Sequence, residues 1–161
     1  MEDDVDLTKL EFRYHRLPAK QRDEILKKMR RMLEETGDIL FAYVHGGFME
    51  RGFFRDIDIA VWLKDPDKAF YYTVNYPVKA EAELRLPIDI QVLNEAPLPF
   101  KYHVFTYGKL LFSKDEKLRY SIIDVTIRQY LDLKQFERME ESRIGRLTER
   151  AKPRKRSGMQ S

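Results

Sequence analysis

Val44-His-Gly-Gly-Phe-Met-Glu-Arg-Gly-Phe-Phe-Arg-Asp-Ile-Asp-Ile-Ala-Val61 joins two strand-like runs through a glycine break. On its upstream side, residues 39–44 (Ile-Leu-Phe-Ala-Tyr-Val) form a continuous apolar run of strand length, with the aromatic and β-branched content of a buried strand. His45-Gly46-Gly47 interrupts that run. On the downstream side, residues 56–63 alternate with period two. Ile57, Ile59, Val61 and Leu63 share one face, and Asp56, Asp58, Ala60 and Trp62 share the other.

Working outward, residues 18–36 read as an amphipathic helix in which Ile25, Met29, Met32 and Leu33 recur at helical spacing. Pro18 suits its first turn and Gly37 its end. Asp65-Pro66-Asp67 is a turn or helix start, and residues 67–84 read as a helix interrupted at Pro77. Residues 87–93 alternate again, with Ile88, Ile90 and Val92 toward the core and Asp89 and Gln91 on the other face. Asn94 to Pro99 reads as a Pro-rich loop, and residues 102–112 as a further short strand around Gly108. From Asp115 to about Arg146 the pattern is helical, with Leu118, Ile122, Val125 and Leu133 lining one face. The predicted fold class is α/β (α+β): a small mixed sheet with packed helices and a C-terminal helix. The predicted organisation is an N-terminal extension over 1–17, a folded domain over 18–147, and a basic, disordered tail over 148–161.

Composition narrows the chemistry. The 161 residues suffice for one domain with a hydrophobic core, and 43% of them are apolar. No apolar run approaches the roughly 20 residues that span a bilayer, and the acidic Met1-Glu-Asp-Asp start lacks a secretory h-region, so a cytoplasmic protein is the expectation. The absence of cysteine excludes disulfides, zinc ribbons and thiol nucleophiles. Any metal must therefore sit on carboxylates, carbonyls or histidines, which favours hard ions such as magnesium or manganese. The 30 basic and 27 acidic residues nearly balance, but Arg150–Ser161 is basic and lacks a large aliphatic anchor. It reads as a solvated tail, or more sharply as an arm touching RNA or an acidic partner.

The decisive feature is where the aspartates fall. Aspartate is depleted in strands because it packs poorly and competes for backbone hydrogen bonds. Asp56 and Asp58 nevertheless share one face of a patterned strand, and Asp89 sits between isoleucines on a second. One reading is polar-out patterning of a half-exposed sheet. The other is a carboxylate cluster neutralised by a divalent cation. The glycines favour the second, because Gly46 and Gly47 let backbone N–H groups approach a phosphate with no Cβ in the way. A phosphate-cradling turn beside a magnesium-binding carboxylate cluster describes a nucleoside triphosphate site.

These residues resemble the minimal nucleotidyltransferases (MNT) of the DNA polymerase β superfamily, whose signature is a strand, Gly-Ser or Gly-Gly, a short loop, Asp-x-Asp on the next strand and a third Asp on a later one. Pro87-Ile-Asp-Ile-Gln-Val-Leu93 supplies that third position. Tyr107-Gly-Lys-Leu-Leu-Phe-Ser-Lys-Asp-Glu116, followed by Gln129-Tyr-Leu-Asp-Leu-Lys134, is similar to the C-terminal segment of MNT antitoxins, which are encoded beside HEPN-domain ribonuclease toxins. The resemblance covers residues 20–140. It implies a polymerase-β-like nucleotidyltransferase fold, with Asp56, Asp58 and Asp89 as catalytic residues and ligands of two Mg2+ ions, and ATP as substrate. It also implies transfer of AMP to a tyrosine of a partner HEPN toxin.

Two departures from the family pattern bear on the site. Many members carry Ser at the position of Gly47, where this chain has no hydroxyl. The loop to the first Asp is two residues shorter than in many relatives and is bulky and basic. Within it, Arg51 and Arg55 are candidates to pair bidentately with phosphate oxygens. His45 either reaches a phosphate or serves structure. Trp62 either stacks on a base or packs beneath the helix of residues 67–84. Tyr71, Tyr72 and Tyr76 either form a partner surface or join the core. Two further functional readings stand beside the adenylyltransferase: an antitoxin that acts by occlusion without catalysis, and a transferase acting on RNA or a small molecule. The latter usually carries an extra acceptor-binding domain for which this chain has little room.

Overall fold

A computed structural model describes residues 15–50 and 53–153 of the protein. Arg51, most of the predicted N-terminal extension and tail residues 154–161 lie outside the described residues. The elements in chain order are β1 (His15–Arg16), α1 (Ala19–Glu35), β2 (Ile39–His45), α2 (Gly47–Glu50), β3 (Phe53–Phe54), β4 (Ile57–Leu63), α3 (Tyr76–Leu84), β5 (Ile88–Val92), α4 (Leu98–Tyr107), β6 (Lys109–Ser113) and α5 (Glu116–Ala151). The main sheet runs in the order β5-β4-β2-β6. β2 pairs antiparallel with both β4 and β6, whereas β5 runs parallel to β4. β1 and β3 form a separate two-stranded ribbon. This is the mixed sheet with packed helices expected from the patterning.

Both faces of the sheet are covered. α1 and α3 pack on one face, where Met29 and Leu33 meet Ile57, Ile59, Val61 and Leu63 in a single core with Tyr72 and Ala80. α4 and α5 cover much of the other, where Phe41, Tyr43 and Ala60 pack with Leu93, Val104 and Ile122. Two-sided cover explains why β2 reads as an unbroken apolar run rather than an alternating one: its residues at 41–45 are all buried.

Several local expectations are corrected. Residues 98–107, read as loop and strand, form helix α4, and the following strand β6 is confined to 109–113. Pro97 caps α4 and Pro99 occupies its first turn, where a missing N–H breaks no helical bond. Its apolar residues point in several directions because it is held between sheet and α5. Val104 is fully buried, Phe105 meets Tyr43 edge-on at 5.5 Å, and Tyr102 stacks on Tyr130 of α5 at 3.7 Å. No single apolar stripe therefore marked it as a helix.

The helix read over 67–84 is a composite. A 3-10 turn at Pro66–Lys68, capped by Asp65 accepting from the Asp67 N–H at 3.0 Å, leads into a π-helical turn at Tyr71–Asn75 and then α3. Pro77 falls in the first turn of α3, directly after the π turn. The wider turn accommodates a residue that donates no N–H and crowds the carbonyl four residues back. Tyr72 and Tyr76 are core residues, whereas Tyr71 is 43% exposed. Trp62 does not lie beneath this helix. It stacks on Phe41 on the opposite face, with ring centroids 5.7 Å apart and planes at 19°. Finally, α5 continues to Ala151, into the segment read as tail.

α5 is fastened to the central strand by a buried arginine. Arg119 donates from Nη1 to the Tyr43 hydroxyl at 2.7 Å and from Nη2 to Glu116 Oε2 at 2.5 Å. Burial pushes the Tyr43 phenol up, against the Arg119 hydrogen bond that lowers it, so the tyrosine stays a neutral acceptor.

Candidate active site

The chain reverses at Gly46 between β2 and α2, and the strand returning as β4 sets Asp58 directly opposite His45 in the antiparallel ladder. On the other side of β4, the parallel register places Asp58 opposite Asp89 of β5. Three chemistry-bearing residues from three strands thus stand in one row, His45–Asp58–Asp89. The row lies at the C-terminal end of β2 and the N-terminal ends of β4 and β5. Asp56 precedes β4 at the same end, and its side chain is 41% exposed.

Gly46 makes this row possible. Its φ of +77° lies in the left-handed region that favours glycine, and a Cβ there would overlap the Asp58 carboxylate. Gly47, by contrast, is the first residue of α2 and takes a helical conformation open to any residue. Phe48 of α2 is buried and meets Phe54 edge-on at 4.6 Å, pinning the loop that leads from the glycines to the aspartates. The aromatic bulk of this loop therefore serves packing.

The electrostatics mark Asp58 as the strained member. Burial, then the negative charges of Asp89 and Asp56, push its carboxyl up to about 6. Asp58 is half-buried while Asp89 is exposed, so the first carboxylate is partly desolvated and the second open to solvent. Arg55, with its side chain 54% exposed, brings Nε to 3.9 Å from Asp56 Oδ2. Arg55 is thus at the cluster's edge, while its sister candidate Arg51 lies outside the described residues.

Two residues whose part in this cluster was not read from the sequence complete it. Gln91 Nε2 donates to Asp89 Oδ2 at 2.6 Å, and Gln91 Oε1 lies 2.9 Å from His45 Nε2. A carboxylate only accepts, so the Gln91 amide nitrogen must face Asp89 and its oxygen must face the imidazole. His45 therefore carries its proton on Nε2 and donates it to Gln91. His45 is 7% exposed and has Phe100 edge-on at 5.6 Å. Both favour the structural reading of this histidine. The sequence signal for Gln91 was only its place two residues after Asp89 on the same strand face.

Among the described residues, no three His, Asp or Glu side chains close into a ready metal cage. The donor set still fits a hard cation. All three aspartates offer oxygen ligands, and the Asp58 carboxyl is raised first by burial and then by the negative charges of Asp89 and Asp56, which a bound cation would offset. A cation held by one or two carboxylates, with its remaining ligands from phosphate and water, is the usual magnesium arrangement.

Comparison with known proteins bears on the family and the fold. The family model "Polymerase beta, Nucleotidyltransferase" matches residues 27–117, more than half of the chain, and the chain belongs to that family. Among solved structures, the fold is similar to a chain of a complex between tri-AMPylated Shewanella oneidensis HEPN toxin and MNT antitoxin. That match has a TM-score of 0.58 and 20% identity, and covers 76% of this chain and 98% of the other. It is equally similar to a chain of a toxin–antitoxin complex with AMP-PNP, with a TM-score of 0.58 and 21% identity over 74% and 97% of the two chains. A MntA–HepT toxin–antitoxin complex matches with a TM-score of 0.56 and 21% identity over 76% and 97%. No curated protein sequence matches the chain. Among the described residues, no helix is long and apolar enough to cross a membrane.

Proposed function

We propose that this chain is a magnesium-dependent nucleotidyltransferase antitoxin that transfers AMP from ATP to a tyrosine hydroxyl of a HEPN-domain toxin. The observation that carries the catalytic part is the in-register pairing of Asp58 with Asp89 on parallel strands, beside a glycine turn whose Gly46 admits no side chain. The toxin as acceptor is supported by the folds it resembles, one in complex with a tri-AMPylated HEPN toxin and one with AMP-PNP.

In this reading Asp56 and Asp58 hold the cation that accompanies the triphosphate, and Asp89 shares a second. Bound there, magnesium neutralises charge on the entering and leaving oxygens of an in-line displacement at the α-phosphorus. The Gly46-Gly47 turn offers backbone to the phosphates, and Arg55 stands at the edge of the cluster to pair with their oxygens. Asp89, oriented by Gln91, receives the proton of the attacking tyrosine hydroxyl. An O–P bond forms to the α-phosphorus, and the α–β bridging bond breaks to release pyrophosphate. The nucleotide left on the toxin adds charge and bulk to it.

The test is to incubate the protein with a HEPN-domain toxin, ATP and magnesium, and to weigh the products intact. The expected result is a series of AMP-sized mass additions on the HEPN protein, reduced by roughly two orders of magnitude or more with Asp58→Asn. Wild-type protein that adds no mass overturns the transferase reading. In that case, binding that survives Asp58→Asn identifies an occluding antitoxin instead.

A further inference from the structure

The second half of α5 is the part of the molecule that the site does not use. Its first half lies on the domain, with Tyr130 stacked on Tyr102 and Thr126 buried. Beyond Leu133 the helix extends to Ala151, and Phe136, Met139, Ile144 and Leu147 are 60%, 62%, 58% and 56% exposed. Large apolar side chains bared in a row on one segment mark an association surface. The segment also contains Gly145, with open space around it, and glycine weakens a helix that has no packing to support it.

The spacing is that of a coiled-coil seam. Leu133, Phe136, Glu140, Arg143 and Leu147 recur at alternating intervals of three and four residues. Met139 and Ile144 flank this seam, and the six residues from Phe136 to Leu147 named here fall within an arc of about 140° on the helix. The polar pair at the centre discriminates between partners. In a parallel pair of identical helices, Glu140 would meet Glu140 and Arg143 would meet Arg143. In an antiparallel pair centred between Glu141 and Ser142, Glu140 meets Arg143 of a second copy, twice by symmetry. Phe136 meets Leu147 on either side, and Arg150 meets Leu133 at both ends, next to Asp132. Within one chain Glu140 and Arg143 are only loosely engaged, at 3.9 Å.

We infer that this chain forms a two-fold dimer through an antiparallel pairing of residues 133–150 of α5. The partner is a second copy of the chain, because the stripe is complementary to itself in apolar residues and in charge. The paired length is short, about 25 Å, so the dimer is a weak one with a dissociation constant in the micromolar range.

The experiment is sedimentation equilibrium of the full chain from about 1 to 200 μM. The expected result for the wild type is a concentration-dependent rise from monomer to dimer mass. Glu140→Arg alone sets arginine against arginine, and Arg143→Glu alone sets glutamate against glutamate. Each is expected to remain a monomer, with association weakened at least about 100-fold. An equimolar mixture of these two variants restores both contacts between unlike chains and is expected to recover the dimer mass. An effect inside one helix cannot produce that recovery. Circular dichroism melts of each variant confirm that the domain is folded. A wild type that stays monomeric, a mixture that fails to associate, or a stripe needed only to bind a different protein overturns the inference.

Discussion

Gly46 and Asp58 lie against each other across the end of the β2–β4 ladder, so that the aspartate carboxylate occupies the space where any other residue's Cβ would stand. The glycine is thus a positioning element for the carboxylate as much as a turn residue.

Replacing it separates the two glycines of the motif. Gly46→Ala adds a clash to an unfavourable positive φ and is expected to destabilise the fold by about 2–4 kcal/mol while displacing Asp58. Gly47→Ser, at a helical position, is expected to change stability by less than about 0.5 kcal/mol. Thermal melts of the two variants check the contrast. A Gly46→Ala protein as stable as the wild type refutes the positioning argument.

The raised Asp58 carboxyl predicts a pH dependence with a definite sign. Its folded value, about 6, lies above the ordinary 3.8, so the folded state holds this proton more tightly than the unfolded chain. The stability it contributes is present at low pH and is lost as pH rises through about 4 to 6. At neutral pH the charged Asp58 costs on the order of 1–2 kcal/mol after allowance for solvent screening. Asp58→Asn should therefore raise the melting temperature of the metal-free protein at pH 7.5 and leave it little changed at pH 4. Equal effects at both pH values would contradict the shift.

Gln91 links a carboxylate at the site to a buried imidazole, through bonds of 2.6 Å and 2.9 Å. Gln91→Met keeps the size but strips both partners, leaving the His45 Nε2–H without this acceptor. It should cost about 1–3 kcal/mol in stability. Nucleotide transfer should fall further than the loss of folded protein explains. Gln91→Glu adds a fourth carboxylate to Asp56, Asp58 and Asp89 and should tighten divalent-ion binding, seen as a lower midpoint in a magnesium titration.

Arg119 joins α5 to β2 through Tyr43 and Glu116 and is 9% exposed. Arg119→Ala should destabilise the domain by about 2–4 kcal/mol, because it empties a buried site and leaves the Tyr43 hydroxyl unpaired. Tyr43→Phe removes the same hydrogen bond at lower cost. A urea-unfolding double-mutant cycle of the two measures their coupling, and additive effects would show that the arginine stabilises the fold without its bond to Tyr43.

The amino-acid sequence by itself determined what is written in local periodicity. Period-two alternation assigned Asp56 and Asp58 to one face of a strand and Asp89 to the face of a later strand that points away from the core. An apolar run without alternation announced β2 as a buried strand, and the paired glycines located the turn. Period-3.6 spacing placed α1 and most of α5. The tertiary structure alone decided which strands lie side by side, because pairing between separate segments leaves no trace in either segment's own pattern. That pairing sets Asp58 beside Asp89, brings His45 to Gln91 across 46 positions, and presses Gly46 onto Asp58. It also decided α4, whose apolar residues serve both the sheet and α5 and so show no stripe, and Trp62, whose side of the sheet depends on what covers it. Periodicity reports the faces of an element; only packing determines what each face meets, and a candidate site assembled across three strands is a property of the packing.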